Sequence, residues 1–106
     1  MSIRAYVYVA AWRKEGPVKI GVTHAPVARL AQLQTGLPYR LRIWGAAYVK
    51  SAGFVEKECH AQLEARAMIG EWFNSSVMSA ACVLRSAASQ MDNSWKWWVP
   101  TGKKRV

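Results

Sequence analysis

Apolar and polar positions alternate with a period of two at the start of the chain. Tyr6, Tyr8, Ala10 and Trp12 fall on one side of an extended segment and Ala5, Val7, Val9 and Ala11 on the other. Aromatic and β-branched residues suit a pleated, half-buried surface, so residues 4–12 are predicted to form a strand. Lys14-Glu15-Gly16-Pro17 is a turn signal. Val18, Ile20 and Val22 then alternate with Lys19, Gly21 and Thr23, which predicts a second strand hairpinned to the first and turns Lys19 away from the core face.

The period then changes. Pro26 suits the first turn of a helix that Thr23 or His24 would cap; Val27, Leu30, Ala31 and Gln34 follow helical spacing with Leu33 at the edge, and Gly36 with Pro38 ends it. Leu41, Ile43, Gly45, Ala47 and Val49 alternate with Arg40, Arg42, Trp44, Ala46 and Tyr48, a third strand. Ser51 opens a helix to about Ala67 with Val55, Cys59, Leu63 and Ala67 as its buried stripe. Ile69 to Phe73 reads as a short extended or turn segment. Ser75 or Ser76 caps a last helix to about Gln90, with Val77, Ala80, Ala81, Leu84 and Ala88 inward. The order predicts an α/β (α+β) fold, a three-stranded and mostly antiparallel sheet flanked by about three helices. Residues 1–91 form the domain, and 92–106 are a tryptophan-rich basic C-terminal extension.

Composition narrows the partners. At 106 residues, 52% of them hydrophobic, the chain builds one modest core without disulfides. Fifteen Lys and Arg against six Asp and Glu give a net charge of +9, which attracts polyanions, nucleic acid first and an anionic membrane second. Trp95, Lys96 and Trp97 with Lys103, Lys104 and Arg105 read as a nucleic-acid grip, extended by Arg40 and Arg42 on the third strand. The plainer alternative packs the tryptophans over the sheet. Membrane-surface binding is disfavoured by the shortness of the stretch and by Pro100 and Gly102. Cys59 and Cys82 read as small core residues, and with two scattered histidines they make no zinc pattern. Met1-Ser2-Ile3-Arg4 leads straight into a strand with no secretory pattern, and no run approaches a membrane span, so a cytoplasmic location is expected.

Six acids are a short list of metal ligands. Hard divalent ions want oxygen, and magnesium often keeps most of its water on one or two carboxylates. Glu56 shares a helix face with His60 at i, i+4, whereas Glu58 falls on another side. Taken singly, each residue has an ordinary explanation: a solvated acid for Glu56, a boundary histidine for His60, core packing for Tyr8, a surface cation for Lys19 and for Arg29. Their joint spacing carries the signal.

That spacing resembles the GIY-YIG nuclease family. Tyr6-Val7-Tyr8 matches the first motif, Lys19-Ile20-Gly21 the second, Arg29 the arginine of the following helix and Glu56 the metal-binding glutamate. The branch it looks most like has Lys-Ile-Gly in the second motif, Glu-x-x-x-His on the helix, and a later Glu-Trp-Phe that stands here as Glu71-Trp72-Phe73. The resemblance covers roughly residues 4–74. It implies hydrolysis of DNA, with RNA left open, by one divalent ion (Mg²⁺ or Mn²⁺) on Glu56. Tyr8 would act as general base or orient the attacking water, and Arg29 would stabilise charge on the phosphate. Lys19 replaces the usual tyrosine and would lower the Tyr8 pKa or hold the phosphate; His60 would position the water or share the base role. Tyr6 takes the place of the first motif's glycine as a strand residue, and Asn74 stands near the family's late asparagine. Low sequence specificity is expected, with targeting by substrate structure or a protein partner. The competing expectation is a non-catalytic nucleic-acid-binding or regulatory module on the same scaffold; a third is a protein-interaction domain using the tail.

Overall fold

The computed structural model describes residues 3–100. Lys103, Lys104 and Arg105 of the expected nucleic-acid grip lie outside the described residues. The elements are β1 (Ala5–Ala11), β2 (Val18–Thr23), α1 (Pro26–Gln34), β3 (Arg42–Val49), α2 (Ala52–Gln62), β4 (Trp72–Phe73), α3 (Val77–Met91) and β5 (Lys96–Trp98). One mixed α+β unit results, its sheet ordered β4-β2-β1-β3-β5 with every neighbouring pair antiparallel. The sheet thus has five strands, not the three expected. The additions are edge strands of two and three residues, too short for alternation to announce; their pairing is set by the strand already beside them. The segment set apart in the sequence from residue 92 therefore contributes β5 to the common sheet. No helix among the described residues is long and apolar enough to cross a membrane.

Helices α2 and α3 cover one face. Val7, Val9, Val18, Ile20, Ala47 and Val49 pack there against Val55, Cys59, Ala80 and Leu84. The other face is smaller and more aromatic: Tyr8, Ala10, Leu41, Ile43 and Ala46 are buried, roofed by Leu30, Leu33 and Leu37 from α1 and its exit. The continuous alternation expected of β3 breaks at Trp44. Val9 pairs with Gly45 but Ala10 pairs with Ile43, which leaves Trp44 as the extra residue of a bulge. Leu41 and Ile43 consequently face α1, whereas Ala47 and Val49 face α2 and α3.

Other expectations shift by a turn. The second helix ends at Gln62, and a short 3₁₀ turn, Glu64–Arg66, carries the chain on, leaving Ala67 exposed. Val27 and Ala31 point outward, because a helix of nine residues on this face needs only Leu30 and Leu33 to seal it. Cys59 is buried and its thiol is pushed up to about 12 by burial, then by Glu58 and Glu56, but Cys82 is exposed on the outer side of α3. Ser76 caps α3, its hydroxyl accepting the Ser79 N–H at 3.1 Å.

Asp92 ties the far end together. Its carboxylate accepts from the Lys50 N–H (3.0 Å), the Ser94 N–H (3.0 Å) and the Arg4 guanidinium (2.8 Å), joining the end of β3, the entry to β5 and the start of β1. Those backbone donors from Lys50 and Ser94, with Arg4 beside them, hold its pKa well below the usual carboxylate range. Asp92→Asn is expected to lower the thermal midpoint by roughly 5–10 °C at neutral pH. The sign follows from a depressed folded value: the contribution is complete above the unfolded carboxylate pKa of about 4 and is lost as pH falls toward the folded value. Thermal melts of both proteins at pH 7 and at pH 3 check this, the gap being smaller at pH 3.

Candidate active site

The site forms where β4 stops. That strand pairs with Val18 and Lys19, and the Ile20 N–H still donates to the Glu71 carbonyl at 3.4 Å. Beyond this, the outer edge of β2 has no strand partner among the described residues. Helix α2 closes it. The Nε2–H of His60 donates to the Ile20 carbonyl at 3.0 Å, and the His60 ring packs 5.0 Å from that of Phe73. A carbonyl only accepts, so Nε2 carries the proton and is committed to the backbone. His60 thereby anchors α2 to the sheet. One turn earlier on the same face, Glu56 brings Oε2 to 4.0 Å from His60 Nε2.

Tyr8 reaches the site from β1. It pairs across the hairpin with Gly21, and its ring lies over that glycine. A Cβ at position 21 would stand 2.5 Å from the Tyr8 hydroxyl oxygen, so the second motif's glycine is a seat for the first motif's tyrosine. Gly21→Ala is expected to push the ring out of place, at a stability cost of roughly 1–3 kcal/mol. A thermal melt with an activity assay checks it: activity falling further than stability at a temperature where the protein is folded is the expected pattern.

Tyr8 is fully buried, yet its hydroxyl makes no hydrogen bond among the described residues, and the buried Nε of Arg29 is likewise without a partner. Arg29 sits in the first turn of α1, its Nη1 donating to Gln32 Oε1 at 3.2 Å. Burial lifts the Tyr8 phenol above its ordinary value, the adjacent Arg29 pulls it back, and the charges of Glu71 and Glu56 add to the rise. The phenol is therefore neutral at physiological pH. Glu56 is raised too, by burial first and by Glu71 second, against the lowering effects of His60, Lys19 and Lys57. Lys19 leaves the core face of β2, as expected, and its ammonium meets Glu71 Oε1 at 3.3 Å.

Five of the residues singled out in the sequence thus converge: Tyr8, Lys19, Arg29, Glu56 and His60. Glu71, named there only within the Glu-Trp-Phe marker, joins them, and β4 is what brings it beside Lys19. Other residues singled out lie elsewhere. Tyr6 packs between Tyr48 and Trp98, at 4.8 and 5.6 Å between ring centres. Asn74 is exposed, with its backbone N–H on the Arg66 carbonyl. Trp97 lies across Gly45 with the Arg85 guanidinium 4.4 Å from its ring centre, and Trp95 donates from Nε1 to Ser89. Trp95 and Trp97 are thus half-buried against α3, whereas Trp98 lies on the other face beside Tyr6. Arg42 folds over Trp44 at 4.0 Å, while Arg40 and Lys96 are exposed.

Among the described residues no three His, Cys, Asp or Glu side chains converge on a point. Glu56 has His60 Nε2 at 4.0 Å and Glu71 close enough that its charge helps raise the Glu56 pKa. One carboxylate with a second anion near it fits a hard divalent ion that keeps most of its water, and such a cation would relieve the repulsion.

Comparison with known families places residues 5–98 in the family model described as the T5orf172 domain. No curated protein and no solved structure matches the chain.

Proposed function

The chain belongs to the T5orf172 domain family, a membership consistent with a nuclease-like or DNA-binding module, and on that premise we propose that it is a metal-dependent DNA endonuclease of the GIY-YIG type. The observation that carries this reading is the orphaned pair at its centre. A buried hydroxyl and a buried guanidinium N–H without partners are costly, and groups left so are concentrated where a ligand completes them. A phosphate oxygen that reached these buried atoms would be an acceptor for either donor.

The geometry supports the following roles. A magnesium or manganese ion held on Glu56 would neutralise the phosphate and acidify a water. Glu56 serves only as the carboxylate, so its raised pKa moves the acid limb of activity upward from the ordinary glutamate range. Arg29 holds the phosphate oxygens and takes up charge as it develops. Tyr8, neutral before reaction, orients the attacking water through its hydroxyl. As general base it would first give its own proton to solvent, leaving a phenolate that Arg29 beside it stabilises and that then takes the proton of the attacking water. Lys19 offsets Glu71 and brings a second cation to the phosphate. His60, with Nε2–H fixed on Ile20, is a positioning residue for Glu56. DNA is the proposed partner, approached by the face that carries Tyr8 and Lys19.

The test is conversion of supercoiled plasmid to the nicked form. Nicking in magnesium or manganese that stops in EDTA is the expected result. Undiminished nicking in EDTA contradicts the metal role, and binding without nicking in either metal contradicts the enzyme.

A further inference from the structure

Outside the site, one set of side chains is not explained by packing alone. The ring of Tyr39, in the loop after α1, stacks on Trp12 at 5.2 Å and an interplanar angle of 23°. Trp12 in turn meets Trp72 at 5.4 Å, and the Lys19 ammonium stands 5.9 Å from the Trp72 ring centre. The three rings therefore make a continuous line that ends at a cation of the candidate active site. Trp12 and Trp72 are half-buried and also roof the smaller core, which accounts for their presence. Tyr39 is different: 56% of it is exposed, and its only ring partner among the described residues is Trp12.

The loop that presents Tyr39 is held in shape. The Gln34 amide donates to the Tyr39 carbonyl at 2.8 Å and accepts from the Leu41 N–H at 2.7 Å, a two-point clamp on either side of the ring. An exposed aromatic on a fixed loop loses little entropy when something stacks on it. Arg40 follows directly and is exposed, and the chain carries a net charge of +9. Glu71, the acid nearest the line's other end, is paired with Lys19 and so repels little. A planar, π-rich ligand on an anionic backbone is the occupant these features match.

We propose that an unpaired nucleotide of the substrate stacks on the outer face of Tyr39, its phosphate on Arg40, with the strand running past Trp12 and Trp72 to Lys19. The inference rests on the nuclease reading for its purpose, and it narrows the substrate to nucleic acid with a single-stranded stretch beside the scissile phosphate. Stacking of this kind is tolerant of sequence, because every base has a π-face. Trp95 and Trp97, singled out for this task in the sequence, lie half-buried against α3.

Binding is measured by fluorescence anisotropy with a labelled oligothymidylate and with a duplex of equal length, in EDTA so that no cleavage intervenes. Tyr39→Ala is expected to weaken oligothymidylate binding by roughly 5- to 100-fold and to lower the single-strand to duplex preference. Tyr39→Phe is expected within about twofold of wild type, since it keeps the ring. Phe54→Ala, which removes an aromatic 64% exposed on α2, is expected to change nothing and controls for surface aromatics in general. Absence of oligothymidylate binding by the wild type, unchanged binding by Tyr39→Ala, equal losses on both ligands, or Tyr39→Phe as weak as Tyr39→Ala each overturns the proposal. Plasmid nicking is scored separately: no nicking with Tyr39-dependent binding overturns the nuclease reading and supports the track, and nicking with Tyr39-independent binding overturns the track alone.

Discussion

Tyr8→Phe is expected to slow strand cleavage by about 10²- to 10³-fold while leaving the fold as stable as before or more so. The two halves of that expectation come from the same atom. The hydroxyl is buried with no hydrogen bond among the described residues, so folding strips it of water and returns only the nearby charge of Arg29. Removing it gains roughly 1 kcal/mol, a shift of several degrees in the melting midpoint for a domain of this size. The ring itself stays on Gly21 and in the smaller core, so the packing is retained. If Tyr8 were only a core residue, activity would be untouched; if it were only structural through its hydroxyl, stability would fall. A rise in stability with loss of cleavage separates the proposed role from both. Differential scanning calorimetry beside single-turnover cleavage makes the measurement.

Glu56→Gln is expected to abolish metal-dependent cleavage, a loss of at least about 10³-fold, because the carboxylate proposed to hold the ion becomes a neutral amide. Stability should move the other way. Burial and Glu71 raise the Glu56 pKa, so the charged form is disfavoured in the fold. For an acid with a raised folded value, the cost to the wild type appears as pH rises through the window between the unfolded value, about 4.3, and the raised folded one. Above that window the cost is complete, and below it there is none. The glutamine variant should therefore melt higher than wild type at pH 8 and equal to it near pH 3. Added magnesium should stabilise the wild type and not the variant, since an ion bound only by the folded state shifts the midpoint by mass action.

How much of this was legible in the sequence depends on the length over which each feature repeats. The central hairpin, β3 and the three helices follow periodicities long enough to read, and Lys19 leaves the core face because its neighbours Val18 and Ile20 claim it. Two-residue β4 repeats nothing; Trp72 and Phe73 become a strand only because β2 offers them an edge. The bulge at Trp44 has no local signature either, and it moved Leu41 and Ile43 to the opposite face from that shared with Val49. In the site, Tyr8, Lys19, Arg29, Glu56 and His60 were visible as ordered motifs, but not what each touches. Lys19 answers Glu71 through a strand pairing, and His60 spends its N–H on Ile20 because β4 ends one residue earlier. The surroundings of the aromatics were not legible either, for a physical reason. Exposure decides whether an indole packs or binds, and Trp95 and Trp97 found α3 while Tyr39 was left on a clamped loop.

The central claim is that Tyr8, Lys19, Arg29 and Glu56 form one phosphodiester-cleaving site. Supercoiled plasmid incubated with wild type and with Glu56→Gln, each in magnesium and in EDTA, tests it most directly. The account predicts nicked circles from the wild type in magnesium and from none of the other three. Equal nicking by Glu56→Gln, or none by the wild type while it binds the plasmid, would contradict it.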